Sequence, residues 1–195
     1  MSARLKKQID FLMEIDRLKG VLRRSYLADG SRLENSAEHS WHLAAAALLF
    51  SEYAETGVDR ERAVKMALIH DIIEIDAGDV FLYDEAATAA KAVRERAAAE
   101  RIFGMLPMDQ RDAMRALWDE FEDNTTPTAH FARGLDRLLP LLHNYFTEGR
   151  TWREHGVRAA QVYKMNAVIE GASPVLWNFA RGLIEDAVEK GYLAP

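Results

Sequence analysis

Apolar residues recur at three- and four-residue steps along most of this chain, and no Val/Ile/Thr-rich run alternates with period two. That spacing lines up one face of an α-helix, whereas a half-buried strand needs strict alternation. Leu5, Ile9, Leu12, Ile15, Leu18 and Leu22 set the pattern at the start. Residues 37–55 are rich in Ala and Leu and follow Ser36, a good N-cap. Glu38 falls in their first turn, where a carboxylate complements the helix dipole. Residues 60–76 carry Val64, Ala67, Leu68, Ile72 and Ile75 and stop near Gly78. Residues 85–103 are strong helix formers, and Asp109 opens a helix to about 122. Thr126-Pro127 and Ser173-Pro174 each place a capping side chain before a proline at the first helical position. They open helices that run to about 147 and to Gly191, with a short helix near 157–170 between them. These signals predict an all-α fold: a single compact domain over residues 1–195, a bundle of seven or eight helices. Its C-terminal helices, 157–191, are expected to pack on the rest, and loops are expected at 28–35, 77–84 and 123–126.

A chain of 195 residues buries roughly 70% of its unfolded surface, so it needs no metal or disulfide merely to fold. It has no cysteine, which excludes disulfides, iron–sulfur clusters and thiol nucleophiles and leaves His, Asp and Glu to hold any metal. The net charge of −6 argues against a nucleic-acid polymer as partner, which requires a strongly basic surface. The longest apolar stretch, LAAAALLF at 43–50, is too short to span a bilayer, so no membrane partner is expected. The first twenty residues mix both charge signs, unlike a targeting signal. A cytoplasmic protein is expected.

The chemistry is concentrated where polar groups interrupt apolar helices. His70-Asp71 interrupts VKMALIHDIIEI. A carboxylate buried there must be compensated, by a metal ion, by a cation or by the neighbouring imidazole. AEHSWH at 37–42 puts His39 in the first turn of a helix and His42 one turn on, beside the site or on its rim. Asp136, in ARGLDRLLPLLHNYF, is a second carboxylate among leucines, with Arg133 and Arg137 as alternative partners. Together, two histidines and two aspartates come from three apolar helices. Imidazole with carboxylate suits one divalent ion from the set Mn, Co, Ni, Zn, Fe and Mg. Adjacent residues diverge by about 100° around a helix, so His70 and Asp71 share an ion only if it lies off that helix's end or flank.

The order His39, His70-Asp71, Asp136 resembles the signature of the HD-domain superfamily of metal-dependent phosphohydrolases. RLKGVLR at 17–23, ENSAEHS at 34–40, HDIIEIDAGD at 70–79 and LDRLLP around Asp136 are similar to the YfbR-like 5′-deoxynucleotidase group. The likeness covers roughly residues 10–145, although Arg24 stands where that group carries an aromatic residue. It implies an all-α bundle acting on a small phosphorylated substrate, a nucleoside 5′-monophosphate, and a homodimer. It also implies His39, His70, Asp71 and Asp136 as metal ligands, Glu74 and Asp79 as acids near the attacking water, and Arg23 as a phosphate contact.

The residues themselves are compatible with these roles. Glu74 lies four residues after His70, one helical turn along, and Asp79 follows Gly78 in a loop. A solvated helix-end acid, a Gly-Asp turn and a solvated face shared with Arg24 are the plainer readings of Glu74, Asp79 and Arg23. Two other functions stay open at this point. A di-iron HD-type oxygenase would draw further ligands from His42, Glu74 and Asp79. A non-catalytic helical interaction module would hold no metal. A ferritin-like di-iron bundle is disfavoured because no Glu-x-x-His occurs.

Overall fold

The structure, a computed structural model, describes every residue except Asp84, and every side chain except those of residues 84–91. The end of the predicted 77–84 loop at Asp84 therefore lies outside the described residues. The chain opens with α1 (Ala3–Ile15), capped by Ser2, and a 3-10 turn over Asp16–Gly20. A hairpin follows, β1 (Leu22–Tyr26) antiparallel to β2 (Leu33–Asn35). Then come α2 (Ser36–Leu49), α3 (Arg60–Ile69), the single turn α4 (Glu74–Ala77) and α5 (Glu85–Phe103). The chain continues with α6 (Met108–Asp123), α7 (Pro127–Phe146), α8 (Arg150–Glu154), α9 (Ala159–Asn166), α10 (Val168–Ala172) and α11 (Pro174–Glu189). Among the described residues, eight of these helices have eight or more residues. The fold is all-α apart from the hairpin.

The main departures from expectation are the hairpin and the early end of the helix expected over 60–76. In addition, the helix expected over 37–55 ends at Leu49 and is capped by Asn35 instead of Ser36, α8 forms where no helix is expected, and the one expected near 157–170 is split into α9 and α10. The loop predicted at 28–35 ends in β2, and the apolar run that began at Leu5 ends in β1. The hairpin escapes a periodicity argument because its inward side chains are charged: Glu34 is buried and Arg23 is only 11% exposed. Its turn is polar, with the Asp29 carboxylate accepting from the Ser31 N–H and Gly30 at φ 70°. The helix expected over 60–76 stops at Ile69. From there the backbone tightens, with Ile72 N–H donating to Ile69 O and Glu74 N–H to Asp71 O, both three residues back.

α7 is the central rod. Its Thr126 cap accepts from the Ala129 N–H, and Pro127 occupies the first turn. α2, α3, α6, α10 and α11 all pack on it. Gly134 allows α10 to approach: a Cβ there would lie 2.3 Å from the Ala172 Cβ. The helix continues through Pro140, which lacks the N–H that would have bonded the carbonyl of Asp136. One core cluster joins Leu43, Ala47, Phe131, Leu135, Trp152 and Ile184. A second joins Phe11, Ile69, Ile72, Ile102, Phe103 and Trp118. α3 contributes to both, through Ala63 and Ala67 on one side and Ile69 on the other. Its C-terminal end, at His70, lies at the seam between them. Among the described residues no helix is long and apolar enough to cross a membrane.

Candidate metal centre and active-site cleft

At the start of α2, a reciprocal cap fixes the first turn: Asn35 Oδ1 accepts the Glu38 N–H, and Glu38 Oε2 accepts the Asn35 N–H. This holds His39 pointing inward, fully buried, with Nε2 2.9 Å from Asp136 Oδ1 on α7. His70 caps the C-terminal end of α3. Its Nδ1 lies 2.9 Å from the Ala67 carbonyl, an acceptor only, so Nδ1 must carry a proton. The other nitrogen is then the ligating one in the neutral ring. That Nε2 is buried without a hydrogen-bond partner, 3.0 Å from Asp71 Oδ1 and 3.7 Å from Asp136 Oδ1. Because α3 ends at Ile69, the adjacent His70 and Asp71 lie at a helix end, where their directions can converge.

His39, His70 and Asp136 each offer a ligand atom within 4.8 Å of the other two. Asp71 directs Oδ1 at the same imidazole, while Arg23 Nη1 holds its Oδ2 at 2.8 Å. Two imidazoles, carboxylates and an orphaned buried Nε2 fit a divalent ion. Burial alone would raise the Asp136 pKa, but His39, His70 and Arg137 hold it well below the usual carboxylate range. Burial likewise opposes charge on His70, yet Asp71 and Asp136 prevail and push its pKa up to about 9.

Glu74 opens α4 and is buried. The tightened backbone sets it against Asp71, three residues back, rather than simply one α-turn along from His70. Its Oε2 accepts from Ser36 Oγ at 2.7 Å. Burial, Asp71 and Asp79 raise its pKa to about 8 against the opposing pull of Arg23 and Ser36. Glu74 is therefore not a solvated helix-end acid. Asp79 follows Gly78, whose φ of 73° turns the chain out of α4, and lies 4.0 Å from Arg23 Nη1. Phe81 and Tyr83 anchor the next residues on the first core cluster. Arg23 projects from β1 into this acidic ring. Burial disfavours its charge, but Asp71, Asp136, Asp79 and Glu74 more than offset that and raise its pKa.

Arg23, His70, Asp71, Glu74, Asp79 and Asp136 line a cleft of about 910 Å³, counting space open to solvent, with Arg24, Arg133 and Arg137 also on its walls; His39 and Ser36 lie behind it. Arg24 stands where the resemblance led us to expect an aromatic ring. Sequence reasoning passed over Glu34, Ser36 and His143. Glu34 and Ser36 fall inside the quoted ENSAEHS stretch but were read as loop and cap, because no apolar alternation marked β2. His143 is buried on α7, and burial lowers its pKa. His42 stacks on it, with ring centroids 5.6 Å apart.

An all-α bundle that gathers two imidazoles and two carboxylates beside an arginine-walled cleft is the arrangement of a metal-binding helical domain. A family model of the HD domain matches residues 15–177, and the chain belongs to that family. It is 28% identical over 144 residues to the zebrafish (Danio rerio) 5′-deoxynucleotidase HDDC2, covering 72% of this chain and 70% of that one. To the human 5′-deoxynucleotidase HDDC2 it is 29% identical over 135 residues, covering 69% of this chain and slightly under two thirds, 65%, of the human one. Over the full length of both chains it is 52% identical to a protein of Magnetospirillum magnetotacticum whose crystal structure is described as that of a predicted metal-dependent phosphohydrolase, with a TM-score of 0.94.

Proposed function

We propose that this protein is a metal-dependent phosphomonoester hydrolase that removes phosphate from nucleoside 5′-monophosphates. The observation that carries the reading is the convergence of His39, His70 and Asp136, with Asp71, at the base of a cleft walled by arginines. The names of the 5′-deoxynucleotidase relatives support the substrate class. His39, His70, Asp71 and Asp136 would hold one divalent ion, from the set Mn, Co, Ni, Zn, Fe and Mg. Such an ion, when bound, acidifies water and screens phosphoryl charge.

The chain's own residues supply the rest. Arg23, pinned by Asp71 and near Asp79, presents a fixed cation at the phosphate position, and Arg137 and Arg133 add positive charge to the cleft walls. This counters the acidic ring, which alone would repel a phosphate dianion. Glu74, with a pKa of about 8, is matched to exchange a proton near neutrality and takes it from the attacking water. Ser36 fixes the carboxyl for that transfer. Asp79, on the loop beyond Gly78, in its protonated form gives its proton to the leaving 5′-oxygen, and proton exchange with solvent then resets Glu74 and Asp79 for the next turnover. The same reading takes residues 1–195 as one HD domain, working in the cytoplasm as a homodimer. Leu5, Leu12 and Met13, exposed on α1, offer an apolar face for a second copy, and light scattering tests it.

The deciding experiment is phosphate release from a panel of nucleoside 5′- and 3′-monophosphates by metal-stripped protein, before and after adding Co, Mn or Mg. Release restored by metal and lost in Asp71→Ala is expected. Full activity of the stripped protein, or of Asp71→Ala, overturns the proposal.

A further inference from the structure

On the far side of His39 lies a second cluster that the chemistry above does not use. Glu34 on β2, His143 on α7 and His42 on α2 meet there, and none of the three lines the cleft. Glu34 is 1% exposed and His143 5% exposed. Glu34 Oε2 and His143 Nδ1 are both buried without a hydrogen-bond partner. Three nitrogens surround that one carboxylate oxygen: Arg23 Nε at 3.5 Å, His39 Nδ1 at 3.5 Å and His143 Nδ1 at 3.8 Å. Each is beyond hydrogen-bonding range. The neighbouring cation and imidazoles compensate the Glu34 charge, but no hydrogen bond reaches Oε2, and a buried acceptor left in that state calls for a further partner.

The donor chemistry says what fits. One ligand atom from each of Glu34, His42 and His143 lies within 4.8 Å of the other two. The two imidazoles stack with planes 25° apart, so they lie side by side. We propose that Glu34, His42 and His143 form a second divalent-metal site, distinct from that of His39, His70, Asp71 and Asp136. Two imidazole nitrogens and one carboxylate suit a borderline ion such as Zn, Co or Ni, with remaining positions open to water. His42 is only partly buried and gives the ion its route from solvent. The two groups share no residue, so the pair is not a carboxylate-bridged dinuclear centre. An ion here clamps β2 to α2 and α7, and it steadies the carboxylate that faces His39 Nδ1.

The test counts ions. Full-length protein is stripped with chelator and dialysed against excess Zn or Co, and metal per chain is measured by mass spectrometry for wild type, His42→Gln, His143→Gln and Asp71→Ala. Two ions per chain are expected in wild type, falling to one in His42→Gln and in His143→Gln. Because His42 is partly exposed, its variant carries the test even if the buried His143→Gln fails to fold. A wild type that saturates at one ion, or a His42→Gln protein that keeps two, overturns the second site. A water in the gap gives that same negative result. Loss of an ion in Asp71→Ala alone bears on the catalytic reading and leaves the second site standing.

Discussion

The two sides of the His39 ring are built in opposite ways. On the Nε2 side each carboxylate has a close partner: Asp136 at 2.9 Å from His39, Asp71 at 2.8 Å from Arg23 and Glu74 at 2.7 Å from Ser36. On the Nδ1 side, Glu34 Oε2 has three cationic or imidazole neighbours and bonds none of them. The carboxylates on both sides are buried, so burial alone does not separate them. What separates them is preorganisation. The cleft side holds its geometry through direct ion pairs, as a site that must meet a phosphate in a fixed pose requires. On the far side Glu34, His42 and His143 come from β2, α2 and α7, and Glu34 Oε2 and His143 Nδ1 are left buried without a hydrogen-bond partner.

The contrast is broken most forcefully at Asp136. Asp136→Ala removes the partner of His39 and His70 together. Breaking a buried ion pair on one side costs ~3–5 kcal/mol, so denaturant unfolding of the metal-free variant should show a loss of that order, and phosphate release should fall to background. Wild-type stability would mean that the imidazoles are satisfied elsewhere and that the cleft side is no tighter than the far side. Next in size is Glu74→Gln, which keeps the shape and a bond to Ser36 but cannot accept a proton. A drop in kcat of roughly 10²–10⁴ is expected, with KM little changed because ground-state binding is untouched. An unchanged kcat would reduce Glu74 to a structural partner of Ser36.

Legibility in the sequence followed the same division. Helices with an apolar stripe and a side-chain cap, such as α7 behind Thr126-Pro127 and α11 behind Ser173-Pro174, were visible because period and cap are local properties. So were His39, His70, Asp71 and Asp136, as polar residues in apolar helices. The hairpin was not, since its buried face is Arg23 and Glu34, held by charge from other elements instead of by alternation. The break after Ile69 was equally hidden: VKMALIHDIIEI reads as one helix, and only the three-residue hydrogen bonds that follow His70 reveal the tighter turn that brings Glu74 to Asp71. Glu34 and His143 escape because their meeting depends on the hairpin, which packs on α7 through β1, and no local pattern encodes that contact.

The far side can be sharpened without touching a cleft residue. Glu34 is the carboxylate that faces His39 Nδ1, in the place of an outer partner that orients a metal-binding imidazole. Glu34→Gln should weaken metal affinity at the first site by about 10–100-fold, read by isothermal titration of stripped protein. An unchanged affinity would show that the cap on α2 alone orients His39.

A pH slope in stability also separates the two sides. In metal-free protein, Glu74 is raised from 4.5 to about 8 and His70 from 6.5 to about 9. Both groups bind a proton more tightly folded than unfolded. Their stabilisation is therefore complete below the unfolded values and is lost as pH rises through about 8 and about 9. Asp136 has the opposite sign: its depressed pKa stabilises above the ordinary carboxylate value and is lost only in acid. The melting temperature of stripped protein should thus fall from mildly acidic to alkaline pH. Glu74→Gln should flatten the part of that fall between 4.5 and about 8, whereas His42→Gln should leave it intact. Loading the first site must displace the His70 proton, so ion uptake below about pH 9 should release protons. Calorimetry in buffers of different ionisation enthalpy measures that release. A slope unaltered by Glu74→Gln would place the pH sensitivity elsewhere in the fold and remove the electrostatic half of the comparison.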